Sequence, residues 1–188
     1  MKNIWLLGDS IRLSYQPLVE MNLKNKANLL GPSDNCRYSL YTLSSFERWL
    51  EELGTPDIIH WNNGLWDAGH DSLRAPEQFS TNDYVKNLEF LIHKFQALKT
   101  KIIWATTTPV KTYNPSDKEQ WKWYNHEITA YNNAAVNLMN KYSIPINDLH
   151  TLVNSDIDKY ICEDRLHLSE AGIKLCADAV SKFLLKFI

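Results

Sequence analysis

Three side chains at opposite ends of the sequence have the chemical types needed for nucleophilic catalysis. Ser10 closes the triplet Gly8-Asp9-Ser10 directly after an apolar run, and Asp164 and His167 stand three residues apart near the other end. On a helical or tight turn that spacing brings two side chains to the same side. A carboxylate beside an imidazole fixes its tautomer and stabilises the imidazolium that forms on proton uptake. The sequence predicts Ser10 as nucleophile, His167 as base and Asp164 as the group that orients the base.

Short apolar runs alternate with longer segments of helical spacing along the whole chain. The predicted strands are residues 3–7, 27–30, 57–61, 101–108 and 144–148, and the predicted helices are residues 14–24, 43–53, 82–98, 125–142 and 169–187. Asn82 or Thr81 is the expected cap of the third helix, and Ser169 that of the last. This alternation predicts an α/β fold with helices on both faces of a parallel sheet. The 188 residues fit one domain spanning 1–188.

Two long connections, residues 64–80 and 109–124, follow the third and fourth predicted strands. Loops at the carboxyl ends of parallel strands overhang the ligand site in such folds. The second loop carries Trp121, Trp123 and Tyr124. These aromatic rings either pack the loop against the body or form a platform on which a sugar ring stacks.

Composition excludes several classes of partner. The net charge of -2 offers no basic surface for nucleic acid, and no apolar run approaches the ~20 residues of a membrane span. The three cysteines show no paired spacing and are expected to be free thiols in the cytoplasm, and the apolar start leads into Gly8 without a cleavage site for a signal peptide. Nucleotide and structural zinc motifs are absent from the sequence, so no cofactor or metal is expected.

Histidines elsewhere have simpler interpretations. His60 lies within the third strand and is expected to be a hydrogen-bonded core residue. His126 and Glu127 begin the segment HEIT, which lacks the second histidine of a zinc protease and predicts an exposed helix start. His70 and Asp71 lie in the first long loop, where they can line a pocket.

The segments "GDS" at 8–10 and "DRLHLSEAG" at 164–172 resemble the first and last motif blocks of the SGNH (GDSL-type) hydrolases. The resemblance implies a flavodoxin-like three-layer α/β/α sandwich with a five-stranded parallel sheet. It also implies an esterase or acylhydrolase that forms an acyl-enzyme on Ser10 and needs no cofactor. Family members include many enzymes that remove acetyl groups from sugars.

The two middle blocks depart from the family pattern. In "NCRYSLYT" at 35–42, Arg37 stands where the family has a glycine whose backbone N–H donates to the oxyanion. Arg37 can offer its own N–H, or its guanidinium can bind a substrate carboxylate. In "NNGLWD" at 62–67, Asn62 is preferred to Asn63 as the side-chain donor. The resemblance thus implies an oxyanion hole of Ser10, Arg37 and Asn62.

The resulting prediction is a serine ester hydrolase that removes a short acyl group, such as acetyl, from a small-molecule or carbohydrate-like substrate. Asn63, Trp66 and Asp9 are the residues expected to contact this substrate. Two alternatives stay open: a lipase or thioesterase acting on longer acyl chains, and a degenerate member that binds a glycan without hydrolysing it. The sequence decides neither the natural ester nor the oligomeric state.

Overall fold

A computed structural model describes residues 1–72, 75–112 and 121–188. Its five-stranded sheet is parallel and has the strand order β2-β1-β3-β4-β5. The strands are β1 Lys2–Leu7, β2 Ala27–Leu30, β3 Ile58–Trp61, β4 Lys101–Ala105 and β5 Ile146–Asn147. The helices are α1 Ser10–Asn22, α2 Ser39–Leu53, α3 Thr81–Ala97, α4 Asn125–Lys141, α5 Leu149–Asn154, α6 Ile157–Tyr160 and α7 Glu170–Leu184.

The sheet separates two hydrophobic cores. Successive side chains of a strand point to opposite faces, so Ile4 and Leu6 of β1 join one core and Trp5 and Leu7 join the other. Helices α1, α5 and α7 cover the first face, and α2, α3 and α4 cover the second. This arrangement confirms the predicted three-layer α/β/α sandwich with a five-stranded parallel sheet.

Several element boundaries differ from the prediction because side chains outside the helical pattern cap the helices. Helix α1 begins at Ser10 rather than at residue 14, since the Asp9 carboxylate accepts a hydrogen bond from the Ile11 N–H at 2.9 Å. The cap of α3 is Ser80, whose hydroxyl accepts from the Asp83 N–H, and neither Thr81 nor Asn82. Ser169 caps α7 as predicted.

Two short helices, α5 and α6, lie in a region for which the sequence predicted no helix. Each has an aspartate at its start: Asp148 accepts a hydrogen bond from the Thr151 N–H, and Asp156 accepts one from the Lys159 N–H. Helices of 6 and 4 residues are too short to display a helical apolar pattern.

Two further predictions concern membrane-spanning helices and the state of the cysteines. Within residues 1–72, 75–112 and 121–188, no helix has the length and apolar character that crossing a membrane requires. Cys36, Cys162 and Cys176 are free thiols, as predicted. The cytoplasmic location stays a prediction.

The segment before α7, residues 161–169, is held by a close backbone contact with Gly172. The Tyr160 carbonyl accepts a hydrogen bond from the Ser169 N–H at 2.9 Å, and Ile161 pairs with Leu168 in an antiparallel bridge. A Cβ atom at Gly172 would come within 2.2 Å of that carbonyl oxygen. The absence of a side chain at Gly172 therefore allows this segment, which carries Asp164 and His167, to close onto α7.

We expect Gly172→Ala to destabilise the protein by roughly 2 kcal/mol, because a rigid backbone carbonyl must move to admit the methyl group. Urea unfolding measures the change. Ala171→Ser is the matched control, since Ala171 is exposed on the same helix turn and should change stability by less than ~0.5 kcal/mol. Equal stability of Gly172→Ala and the unsubstituted protein would show that the contact does not constrain this segment.

Candidate active site

The structure brings Ser10, His167 and Asp164 into one hydrogen-bonded chain. The Ser10 hydroxyl lies 2.9 Å from His167 Nε2, and His167 Nδ1 lies 2.7 Å from Asp164 Oδ2. In the tautomer that satisfies both contacts, Nδ1–H donates to the carboxylate and Nε2 accepts from the hydroxyl. This is the arrangement in which an imidazole can take a proton from a serine.

Asp164 is kept ionised by its own loop. Burial acts to raise its pKa, but hydrogen bonds from the His167 and Leu166 backbone N–H groups and from the His167 ring hold the pKa below its usual value. Both backbone N–H groups donate to Oδ1, at 2.9 and 3.0 Å, which leaves Oδ2 for the imidazole. The carboxylate thus fixes the ring orientation and favours the imidazolium.

Ser10 is the first residue of α1 and follows the buried end of β1. Helix α1 therefore directs its N-terminal N–H groups, and the positive end of its dipole, toward the serine. Asp9 is 2% exposed and caps this helix, and burial raises its pKa. The buried Asp9 carboxylate thus serves as the cap of α1, and its contact with substrate stays a prediction.

Arg37 has the left-handed backbone conformation that the expected glycine would favour, with φ at +49°. Its N–H donates to Asn35 Oδ1 at 2.8 Å, and its guanidinium lies 4.8 Å from the centre of the Tyr41 ring. The N–H proposed for the oxyanion hole is therefore engaged within its own loop.

The two asparagines after β3 have different surroundings. Asn62 is half-buried, and its amide donates to the Ala105 carbonyl at 2.8 Å and to Thr107 Oγ1 at 3.1 Å. Asn63 is 1% exposed, and its amide donates to the Arg37 carbonyl and to Thr42 Oγ1, both at 3.0 Å. The Asn63 amide thus joins the Arg37 loop to the end of β3, and its contact with substrate stays a prediction.

Arg12 is a site-supporting residue that the sequence did not indicate, since arginine is rarely buried. It is 1% exposed and donates hydrogen bonds to the Gly8, Pro32 and Asp34 carbonyls. Its guanidinium therefore joins the Gly8-Asp9-Ser10 turn to the loop that carries Arg37.

Asp67 is a second buried support. It is fully buried, and its carboxylate accepts hydrogen bonds from the backbone N–H and the hydroxyl of Ser39, the first residue of α2. Burial raises the pKa of Asp67 and the hydrogen bonds from Ser39 lower it. Burial is the larger effect, so the pKa is about 7. The contact explains why α2 begins at Ser39 rather than at residue 43, and it joins the loops after β2 and β3.

An open cavity of about 200 Å³ adjoins the serine and the histidine. Its lining consists of Ser10, Leu65, Trp66, Trp121, Trp123, Leu166 and His167. The ring centres of Trp66 and Trp121 are 5.6 Å apart, and those of Trp121 and Trp123 are 6.0 Å apart in a stacked pair. We call Trp66, Trp121 and Trp123 the tryptophan wall. Trp66 thus lies where the expected substrate contact requires it.

The remaining histidines lie outside this cavity. His60 is fully buried, with Nε2 3.1 Å from the Asn147 amide nitrogen, as expected of a core residue. His126 is exposed as predicted, but Glu127 is not, because it hydrogen-bonds to the buried His70 ring. Across the described residues, no three histidine, cysteine or acidic side chains cluster as metal ligands would.

Comparison with known proteins gives matches in structure alone. No protein-family model matches the chain, and no curated protein matches its sequence. The acetyl xylan esterase AlAXEase is similar, with a TM-score of 0.75, 19% identity and coverage of 96% of this chain and 98% of that one. A lipase/acylhydrolase from Enterococcus faecalis has a TM-score of 0.75 and 20% identity, with 98% and 95% of the two chains covered.

A GDSL-like lipase from Bacteroides thetaiotaomicron matches with a TM-score of 0.73 and 16% identity, and covers 100% of this chain and 89% of that one. The chain has the SGNH hydrolase fold. The similarity extends over nearly the full length of each matched chain, so all seven helices and five strands described above lie within the SGNH hydrolase fold.

We expect Asp67 to make folding stability depend on pH. Its pKa is higher in the folded protein than in the unfolded chain, so the folded state holds the proton more tightly and stability falls as pH rises from about 4 to about 7. At 1.36 kcal/mol per pKa unit the full effect is on the order of 4 kcal/mol. Asp67→Asn removes the titration, so its stability should fall less between these pH values.

Urea unfolding at pH 5 and pH 8 tests this expectation. Asp158→Asn is the control, because the Asp158 side chain is 91% exposed. An equal change with pH in Asp67→Asn and the unsubstituted protein would mean that Asp67 does not titrate in this range.

Proposed function

We propose that the protein is a serine-dependent carboxylic ester hydrolase. The observation that supports this most strongly is the hydrogen-bonded chain from Ser10 through His167 to Asp164, at the carboxyl edge of the sheet and open to a cavity. A protein that only binds a glycan has no need of all three groups in this geometry. Their alignment therefore favours catalysis over the non-catalytic alternative.

The reaction proceeds in two acyl transfers. Ser10 Oγ attacks the ester carbonyl while His167 Nε2 takes its proton, and the imidazolium then donates that proton to the leaving alcohol. Water enters, gives its proton to His167 and attacks the acyl-serine, which releases the acid and restores the serine hydroxyl. Asp164 stabilises the imidazolium in both halves.

The negative oxygen of each tetrahedral intermediate requires donors. As the first residue of α1, Ser10 has a backbone N–H with no acceptor four residues back in the helix. Asn62 becomes a second donor by releasing Thr107 Oγ1, which is the longer of its two contacts. Arg37 contributes its N–H only if Asn35 turns away, so we assign its main effect to the backbone conformation that it holds.

The alcohol part of the substrate binds in the cavity beside the tryptophan wall. His167 must reach the leaving oxygen to protonate it, so the alcohol lies on the His167 side of Ser10. That side is lined by three indole rings, which suit the flat face of a sugar or aryl group. One of the similar structures is an acetyl xylan esterase, which agrees with a carbohydrate-like alcohol.

The acyl group is short, such as acetyl. The cavity that adjoins Ser10 and His167 measures about 200 Å³ and has to hold both parts of the ester. A long acyl chain would have to share the cavity with the alcohol. Longer-chain hydrolysis is the second candidate, because the apolar lining of the 200 Å³ cavity would also accept an alkyl chain.

Hydrolysis of p-nitrophenyl esters from acetate to decanoate tests both the chemistry and the acyl length. We expect turnover to be highest for acetate, to fall with chain length, and to drop at least about a thousandfold in Ser10→Ala. Ser14→Ala is the matched control, since Ser14 lies on the same helix and its hydroxyl donates, among the described residues, to the Ile11 carbonyl alone.

Turnover that survives in Ser10→Ala would refute the proposed mechanism. A rate that increases toward decanoate would instead support the lipase or thioesterase alternative. Acetylated xylan fragments test the carbohydrate-like alcohol separately. Their release of acetate should depend on Ser10 in the same way.

A further inference from the structure

His70 links the two loops that form the tryptophan wall. Its backbone N–H donates to the Lys122 carbonyl and its carbonyl accepts from the Lys122 N–H, both at 2.9 Å. His70 belongs to the loop after β3 that carries Trp66, and Lys122 lies between Trp121 and Trp123. The pairing of these two residues therefore sets the distance between the two sides of the wall.

Both ring nitrogens of His70 face oxygen acceptors. Nδ1 lies 2.8 Å from the Ala75 carbonyl oxygen, and Nε2 lies 2.8 Å from Glu127 Oε2 at the start of α4. A carbonyl or carboxylate oxygen cannot donate a proton, so both contacts are hydrogen bonds only when both nitrogens carry hydrogen. The two contacts together fit the imidazolium better than either neutral tautomer, and His70 is 8% exposed.

The charged groups around His70 explain how it holds this proton. Burial opposes the charge, but the Ala75 carbonyl, Glu127 and Glu77 outweigh it and raise the pKa of His70 above 6.5. Lys122 pairs with it through the backbone, Asp71 follows it in sequence, and Tyr124 packs edge-on against its ring at 5.3 Å. His126 approaches the other oxygen of Glu127, at 4.0 Å.

The wall itself is tightly fitted around the residue before His70. A Cβ atom at Gly69 would come within 2.9 Å of Trp123 Nε1 and 3.4 Å of Trp121 Cε3. Trp123 Nε1 donates to the Leu65 carbonyl at 2.7 Å. A movement of His70 away from Lys122 or Glu127 would therefore be transmitted directly to two of the three indole rings.

We propose that His70, held as an imidazolium between the Ala75 carbonyl and the Glu127 carboxylate, is a positioning residue that sets the tryptophan wall for binding the alcohol part of the substrate. This inference rests on the proposed function for its kinetic consequence. His70 does not line the cavity, so it acts on the substrate through Trp66, Trp121 and Trp123. When His70 loses a proton, one ring nitrogen becomes an acceptor that faces an oxygen acceptor. That contact is no longer a hydrogen bond, and the two atoms move apart.

The kinetic consequence is a separation of KM from kcat. As the pH rises through the pKa of His70, which lies above 6.5, we expect KM for p-nitrophenyl acetate to rise about tenfold, the effect of losing one hydrogen bond to a charged group, while kcat stays constant. Glu127→Gln keeps an acceptor but removes its charge, so the rise in KM should move to lower pH. His70→Gln can make only one of the two contacts, so its KM should be raised and independent of pH.

His93→Gln is the matched control, because His93 is exposed on α3 and its ring contacts Tyr142, which is not part of the tryptophan wall. Its pH profile should equal that of the unsubstituted protein. A KM that stays constant from pH 6 to pH 9, or a Glu127→Gln profile identical to the unsubstituted one, would overturn the proposal.

Two measurements need no catalysis and so separate this proposal from the proposed function. Nitrogen chemical shifts of the His70 ring should show hydrogen on both nitrogens at pH 6, below its raised pKa. Tryptophan emission should change at the pH where His70 titrates. That pH should be lower in Glu127→Gln, and the change in emission should be absent in Trp121→Phe. A neutral His70 ring at pH 6, or tryptophan emission that stays constant while His70 titrates, overturns the proposal even if ester hydrolysis is confirmed.

Discussion

Packing of α1 against α7 is the contact on which the rest of the site depends. Val19 of α1 and Cys176, Ala177 and Val180 of α7 are fully buried in one core. Because α1 begins at Ser10, the proposed nucleophile, and α7 follows shortly after His167, the proposed base, this apolar contact fixes two groups that are 157 residues apart in the chain. The hydrogen bond between them is then formed without further cost in chain entropy.

Buried polar groups fix the positions of the loops that carry the proposed oxyanion donors. Arg12, Asn63 and Asp67 each make at least one hydrogen bond to a backbone group of a neighbouring segment. Burying a polar group costs free energy unless all of its hydrogen bonds are made. These groups therefore favour the one loop position in which every hydrogen bond forms. Thr107, which accepts from Asn62 and donates to the Asn63 carbonyl, extends the same network to β4.

Features carried by local patterns could be predicted from the sequence. The five strands and five of the seven helices follow from apolar spacing, and the Ser10, Asp164 and His167 chemistry follows from residue type and motif. The start of α2 at Ser39 could not be predicted, because it depends on a hydrogen bond to Asp67, which lies in the loop after β3. The burial of Arg12 and the pairing of His70 with Glu127 likewise depend on tertiary contacts between distant segments.

Reactive groups and cavity walls come from separate parts of the chain. Ser10 and His167 are fixed by the ends of helices in the core, whereas Trp66, Trp121 and Trp123 belong to connections after β3 and β4. Under the proposed function, insertions or substitutions in these connections would change which alcohol is accepted while the geometry of Ser10 and His167 stays intact. The scaffold lends itself to diversification by exchange of two surface loops, with the core sequence left untouched.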